Sequence, residues 1–496
     1  MKFNKSVSLN QVIDQAPGKT LNHENGLAFT PNEITQLYLM CCACMLDDQY
    51  YVKAENQLKS IQDLCRKVPR KVLLSLAKYC RNEMRLRSIS HLLLAEASVR
   101  FNDRPDESKQ DVTDACSDVI QRVDDITEVI AYYITHLGSG KKNKLPNALK
   151  KGLAHAFLKF DEYQLAKYNR DGAVKLKDAV LLLHPKPTTP EQAQMIKRLL
   201  DDKLATPQTW EVEISTKGST AETWNDIAPK MGIMAITRNL RNFEDKGAEV
   251  AYAHAISLLN NQSAIESSKM LPFRFLAAER EVSRNTTKDA LRQALQLSIA
   301  NLPKLSGKTL YIIDNSGSMS DPVTGKSKIS CIDAASLLGA IGNHLSEDSH
   351  VIVFGQTAAE VHISKLDSVI TNSTRISSTH VGHSTNAYAA LELAINRKIF
   401  ADRIILLSDM QCYSSNVRPS LFGNSYYEQT LQYQFNKYQK IINRDVKLFS
   451  IDLRSYGTIQ FIEDQANVYP LAGYSERLLE LIAHLESGQS MPWLEK

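Results

Sequence analysis

The sequence predicts a multidomain protein, with an all-α helical-repeat stretch, an α-solenoid, over residues 1–304 and an α/β doubly wound domain over 305–496. Three observations carry this. From about residue 30 to 300, apolar residues recur at three- and four-residue steps and strand-like alternation is nearly absent. Near residue 305 the pattern changes to short β-branched or aromatic runs separated by helical stretches, which implies a parallel sheet covered on both faces. The first such run ends in Asp314-Asn-Ser316-Gly-Ser318, a carboxylate and two hydroxyls at a strand's carboxyl end, where open α/β sheets place their ligand sites.

In chain order, residues 69–79, 125–136 and 290–302 show the helical repeat most clearly, and polar connectors at 102–106, 138–144 and 184–190 separate such segments. Many helices of similar length with short links suggest stacked helical pairs, without a sharp sequence period. The pattern breaks at 302–307, Leu-Pro-Lys-Leu-Ser-Gly. Strands are then expected at 309–313, 350–354, 403–407 and 446–451, alternating with helices at 329–345, 387–396, 428–442 and 477–485.

At 496 residues the chain is too long for one ordinary core, and 43% hydrophobic residues can fill more than one. The net charge of +4 is unevenly spread: residues 1–300 carry 42 Lys and Arg against 36 Asp and Glu, residues 301–496 carry 17 against 19. A polyanion-binding surface is therefore expected in the first part. No apolar run is long enough to span a bilayer, and the N-terminal residues lack a secretory apolar core. The eight cysteines are scattered, with Cys41, Cys42 and Cys44 in an apolar run, which reads as buried thiols in a reducing compartment. A cytoplasmic protein is expected.

Two further stretches supply oxygen ligands. Gly382-His-Ser-Thr385-Asn386 precedes a helix, and Ser408-Asp409 ends a strand much as Asp314 does. Asp314, Ser316, Ser318, Thr385 and Asp409 together offer two carboxylates and three hydroxyls, a hard oxygen set that suits a divalent cation such as Mg²⁺ and leaves a coordination position open for an anionic group. The bland alternative is ordinary turn residues of a doubly wound domain. No His or Lys stands in the motif to act as a base, so it reads as a binding site rather than an enzyme's catalytic centre.

The basic excess concentrates between residues 141 and 186. Lys141, Lys142, Lys144, Lys150 and Lys151 are followed by His155, Lys159, Lys167, Arg170, Lys175, Lys177, His184 and Lys186, against the acids Asp161, Glu162, Asp171 and Asp178. Phe160, Tyr163 and Tyr168 are interleaved. Such a mixture can hold phosphates by charge and stack unpaired bases, or it can be a solvated helix face; composition leaves both open.

The order Asp314-x-Ser316-x-Ser318, Thr385, Asp409 resembles the metal-ion-dependent adhesion site (MIDAS) of the Rossmann-like von Willebrand factor A domains. Residues 147–157, 165–172, 177–187, 228–243 and 270–275 are similar to the TROVE module. A TROVE module followed by an A domain is the architecture of the Ro ribonucleoprotein autoantigen family, including its bacterial-type members, and the resemblance covers roughly residues 25 to 485. It implies HEAT-like repeats closed into a ring by the A domain, and no enzymatic activity. It also implies a small noncoding Y or Y-like RNA on the ring's outer surface and single-stranded 3′ ends of misfolded RNA in its hole. The expected role is noncoding-RNA quality control and degradation, as a monomeric protein within a ribonucleoprotein that engages an exoribonuclease such as polynucleotide phosphorylase. Carried over by motif, Lys167, Arg170 and His184 match Y RNA-contacting positions. Lys141, Lys142, Lys144, Lys150 and Lys151 are assigned to RNA from charge. Arg81, Arg85 and Arg87 lie on one short basic segment, open to a hole-lining or a structural role. The competing reading is a metal-dependent protein-interaction scaffold, with the helices a passive frame.

Overall fold

The computed structural model describes residues 12–13, 15–43, 52–99, 109–138, 145–207, 209–323, 327–412 and 430–494. They fall into two compact units, one from Lys59–Thr223 with Ser490–Lys496, the other from Met1–Leu58 with Trp224–Gln489.

The first unit is helical, with helices Arg70–Asn82, Arg87–Ser98, Lys109–Val119, Val123–Tyr132, Asn147–Phe157, Glu162–Tyr168, Leu176–Leu183, Pro190–Leu200 and Trp210–Lys217. Their starts follow local chemistry. Pro69 and Pro146 precede two of them, and Thr189 caps another by accepting the Gln192 amide at 3.3 Å. Arg70–Asn82 packs on Arg87–Ser98 and on Lys109–Val119, which in turn packs on Asn147–Phe157. That last approach is close: a Cβ on Gly152 would sit 2.6 Å from Cys116 Sγ and 2.9 Å from Thr113 Cα. Beyond Tyr132 the helix widens into a π turn, Tyr133–Leu137.

Asp125, wholly buried, anchors this unit. Its carboxylate accepts the Gln121 and Arg122 amides at 3.0 and 2.9 Å, Arg81 Nη2 at 3.0 Å and Arg87 Nε at 2.5 Å, and His91 Nε2 lies 3.2 Å away. Burial by itself would push this carboxyl up, but the hydrogen bonds and charge of His91 and Arg87 hold it well below the usual carboxylate range. Arg81 and Arg87 are therefore ion-pair partners that tie three helices together.

The second unit holds the sheet. Strands β1 (Lys19–Leu21) and β2 (Leu27–Phe29) form an antiparallel hairpin. Strands β3 (Leu305–Asp314), β4 (Ser346–Phe354), β5 (Ala358–Glu360), β6 (Arg403–Ser408), β7 (Lys447–Asp452) and β8 (Val468–Ala472) form one six-stranded sheet in the order β5-β4-β3-β6-β7-β8. The four expected strands β3, β4, β6 and β7 pair in parallel, as does the additional strand β8; the other addition, the edge strand β5, runs antiparallel to β4. Leu310, Ile312, Ile352, Ile404, Leu406 and Leu448 face one core with helices Ala387–Asn396 and Leu431–Ile441. On the other face, helix Cys331–Leu345 presses onto β3 so closely that a Cβ on Gly342 would lie 2.3 Å from Tyr311 Oη. Arg403, 4% exposed, ties β6 to β3 and to helix Arg477–Glu486 through Thr309 Oγ1 at 2.8 Å, the Ser306 carbonyl at 2.6 Å and Glu486 at 2.6 Å.

The four expected strands and the four helices between them are present with shifted ends. Ser330 starts the helix expected at 329–345, its hydroxyl accepting the Asp333 amide at 3.2 Å. The start of the helix expected at 428–442 lies outside the described residues, and its described part, Leu431–Ile441, is capped by Thr430. Helices Ile233–Lys246, Glu249–Leu259, Gln262–Ser268, Pro272–Glu279 and Asn285–Ser298 belong to the same compact unit as the sheet. The break in pattern at 302–307 is the passage from the helical turn Ile299–Asn301 into β3. The described cysteines are all buried and none is joined in a disulfide; Cys44 lies outside the described residues.

Candidate functional site

Two adjacent parallel strands, β3 and β6, end side by side, Ile313 in register with Leu407, so Asp314 emerges next to Ser408. The Ser408 hydroxyl donates to Asp314 Oδ2 at 2.6 Å, and the Ser316 amide donates to Oδ1 at 2.9 Å, which curls the Ser316–Ser318 loop back over the strand end. The hydroxyls of Ser316 and Ser318 lie 3.4 Å apart. The Gly317 amide donates to the His383 carbonyl at 2.9 Å, which pins the loop carrying Thr385 against them. The Asn386 amide and side chain hold that loop to Gly355 and Gln356 at 2.8 and 2.9 Å. Asp409 Oδ1 accepts the Gln411 amide at 3.2 Å, while its Oδ2 is buried without a hydrogen-bond partner.

Burial, and then the charge of Asp409, push the Asp314 carboxyl up to about 7, with the Ser408 and Ser316 hydrogen bonds offsetting part of the shift. Burial likewise raises Asp409; the Ser318 hydroxyl, the Gln411 amide and the charge of Arg454 counter it in part. Arg454 is itself engaged by the Pro322 carbonyl at 2.7 Å and by Asp321 at 3.5 Å. Two buried carboxylates, one with an unpartnered oxygen, among three hydroxyls fit a hard divalent cation. Among the described residues no group of three or more His, Cys, Asp or Glu is arranged to hold a metal, so any cation here depends on the hydroxyls.

Sequence reasoning missed a third carboxylate at this edge. Asp452 ends β7 in register with Ser408, and burial pushes it up to about 7. Its Oδ1 accepts the Arg454 and Ser455 amides at 2.9 and 2.7 Å; its Oδ2 has no partner. The signal was an apolar strand run ending in Asp, the same one that marks Asp314.

On the helical unit, Lys167 lies in the last turn of helix Glu162–Tyr168, its Nζ 5.8 Å from the Tyr163 ring and 5.7 Å from the Tyr168 ring. Arg122 Cζ stacks 4.2 Å over the other partner of that pair, Tyr168, a contact that sequence did not reveal. Arg170 is exposed in the following loop. His184 is exposed and caps helix Leu176–Leu183 in the left-handed conformation, φ 51°. Lys150 and Lys151 lie on helix Asn147–Phe157, Lys151 fully on its exposed side. Lys141, Lys142 and Lys144 lie outside the described residues. Some neighbouring cations are engaged: Lys159 donates to the Ser117 carbonyl at 2.8 Å, Lys175 pairs with Asp171 at 2.7 Å, and Lys177 pairs with Asp202. Of the interleaved aromatics, Phe160 is buried in the core, which removes it as a stacking surface; Tyr163 is 47% exposed.

Comparison with known proteins agrees with both halves of this picture. The TROVE domain model matches residues 35–202 and 197–316, and the Ro60 vWA domain model matches residues 308–485. The crystal structure of the Deinococcus radiodurans Ro (Rsr) protein superposes with a TM-score of 0.64, covering 92% of this chain and 99% of that one at 16% identity. Telomerase protein component 1 of Rattus norvegicus is 24% identical over 336 residues, and that of Mus musculus 25% over 338, each match covering 50% of this chain. The matched stretch spans only 12% of either of those relatives. With its two domain matches in this order across most of its length, the chain belongs to the Ro family of TROVE and von Willebrand factor A proteins.

Proposed function

We propose that this protein binds RNA without catalysing a reaction on it, as a scaffold for noncoding-RNA quality control and degradation. The observation that carries the reading is the surface around Lys167. Arg170, His184, Lys150, Lys151 and the exposed Tyr163 belong to the same helical unit as Lys167, and all of these residues fall within the TROVE match. Lysine and arginine there hold phosphates, and the aromatic ring accepts an unpaired base. The proposed ligands are a small structured Y-like RNA and the single-stranded 3′ ends of misfolded RNA. Lys141, Lys142 and Lys144, which precede these residues in sequence, are proposed as RNA contacts from their charge alone. The test is a salt series with a small structured RNA. Lys167→Ala combined with Arg170→Ala is expected to weaken binding on the order of tenfold and to lower the slope of log K against log salt by about 2. An unchanged slope would remove both residues from the interface.

The sheet unit supports a second activity. The residues that would hold a divalent cation, Mg²⁺ by the donor set, are Asp314, Ser316, Ser318, Thr385 and Asp409. Bound there, a cation supplies a Lewis-acidic point that captures a carboxylate from a protein partner, for which an exoribonuclease such as polynucleotide phosphorylase is the proposed class. Among the described residues no helix is long and apolar enough to cross a membrane.

A further inference from the structure

A ladder of side-chain amides joins helix Leu431–Ile441 to the loop between β7 and β8, and one backbone group sets its direction. The Ile462 amide donates to Gln432 Oε1 at 2.7 Å, which leaves Gln432 only its Nε2 to give. That nitrogen donates to Asn436 Oδ1 and to Gln465 Oε1, each at 2.8 Å. Gln465 then has only its own Nε2 left, which donates to Asn436 Oδ1 at 2.9 Å and to Gln439 Oε1 at 2.8 Å. An amide side chain has one accepting end and one donating end, so each step fixes the next. The ladder consumes the oxygens of Asn436 and Gln439 and leaves both their NH₂ groups unused among the described residues.

Asn436 and Gln439 line a groove of about 720 Å³, and Lys440 and Arg444 line it with them. Asn436, Gln439 and Lys440 stand at three- and four-residue steps, so they share one face of the helix. Asn436 is only 8% exposed, so little but the groove is open to its unused NH₂. Lys440 and Arg444 are exposed, and neither pairs with a carboxylate among the described residues. Val12, Ile462 and Ala466 add an apolar lining, and Asp464 is the one acidic residue in it. None of these residues belongs to the proposed cation site, so the groove needs no metal ion.

We propose that this groove docks an extended acidic segment of a partner protein. Two NH₂ groups and two unpaired cations make its polar side a surface of donors, complementary to carboxylates and to main-chain carbonyls. The apolar residues beside them give a side chain of such a segment a place to bury. The chemistry favours a peptide over a nucleic acid. Asp464 sets a like charge against a continuous run of phosphates, and no aromatic residue lines the groove to stack an unpaired base. A peptide meets Asp464 with a backbone N–H instead. The chain's own residues 1–11 carry Lys2 and Lys5 and no acid, so they lack the complementary charge.

The probe is a fluorescent peptide of alternating Glu and Leu, followed by anisotropy with the full chain in EDTA, so that a metal-held carboxylate cannot contribute. Matching peptides of Gln and Leu and of Lys and Leu, and an oligouridylate, are the comparators. The Glu–Leu peptide is expected to bind on the order of tenfold more tightly than the Gln–Leu peptide, with the Lys–Leu peptide weaker still. Gln439→Glu keeps the oxygen that Gln465 needs and replaces the unused NH₂ by a carboxylate oxygen. It should lower Glu–Leu affinity about tenfold at an unchanged thermal midpoint. Lys440→Ala with Arg444→Ala should lower it similarly and flatten its salt dependence, and Asp464→Asn should raise it. Equal affinity for the Glu–Leu and Gln–Leu peptides, no binding of either, or no loss in the Gln439 and Lys440/Arg444 variants overturns the proposal. So does an oligouridylate that loses affinity in those variants while the peptide does not, which is the result a nucleic-acid groove would give.

Discussion

Asp125 shows what one residue does in this protein. It sits at the start of helix Val123–Tyr132 and draws Arg81 and Arg87 from two earlier helices onto one carboxylate. Removing one member of such a buried group leaves the others charged and unpaired, so Asp125→Ala is expected to cost about 3–5 kcal/mol, read from the denaturant midpoint of the helical unit. The pH dependence has a definite sign. The folded carboxyl lies below its unfolded value of about 3.9, so its stabilisation is fully present above about pH 4 and fades as pH falls below that. An acid titration of Asp125→Asn should accordingly show a flatter loss of stability than the unsubstituted chain. Sequence displayed the two arginines but not their partner: Arg81 and Asp125 are 44 positions apart, and charge counting has no means of pairing groups at such separation. The Asp-x-Ser-x-Ser loop was legible for the opposite reason. Its residues are neighbours, and the Ser316 amide bonds Asp314 two positions back. Asp452 was missed because it stands without hydroxyls at that spacing.

At the scale of elements, periodicity located what packs on two sides and overlooked what packs on one. The strands β3, β4, β6 and β7 are apolar runs because other residues cover both their faces. The hairpin strands and β5 are three residues each, too short for any period to show. β8 contains Pro470, which sequence reading counts against a strand; it is tolerated because β8 is an edge. Helix Val369–Ser377 is written in Ser, Thr and Asn and owes its start to the Ser368 cap, which accepts the Thr371 amide at 3.1 Å. The tightest joint is between helix Cys331–Leu345 and β3. Tyr311 is fully buried and hydrogen-bonded to Ser346 Oγ at 2.9 Å, so it cannot move aside. Gly342→Ala is therefore expected to destabilise the sheet unit by about 1–3 kcal/mol, seen as a lower urea midpoint with the helical signal of the other unit unchanged.

At the scale of the whole molecule, the proposed RNA surface and the proposed cation site belong to different compact units. Their effects should then separate. At about 100 times its dissociation constant, Mg²⁺ is expected to add about 2.7 kcal/mol to the stability of the sheet unit, and Asp409→Asn should abolish that gain while leaving RNA affinity within about twofold. Differential scanning calorimetry and filter binding on the same two proteins read both quantities. The domain order was legible because each module carries local motifs, while the grouping of residues 1–58 with the sheet was not, since it depends on contacts across almost the full chain. Those contacts bear on synthesis. Tyr38 Oη accepts the Ala472 amide 434 positions later, and Asn22 waits for Cys412 across 390. At about 5–20 residues per second, the apolar hairpin and the helix Glu33–Ala43 leave the ribosome on the order of half a minute before the strands that cover them. During that interval Leu27, Ala28, Phe29 and Leu37 have no partner from the sheet, which makes the nascent chain a client for chaperones that shield short apolar segments.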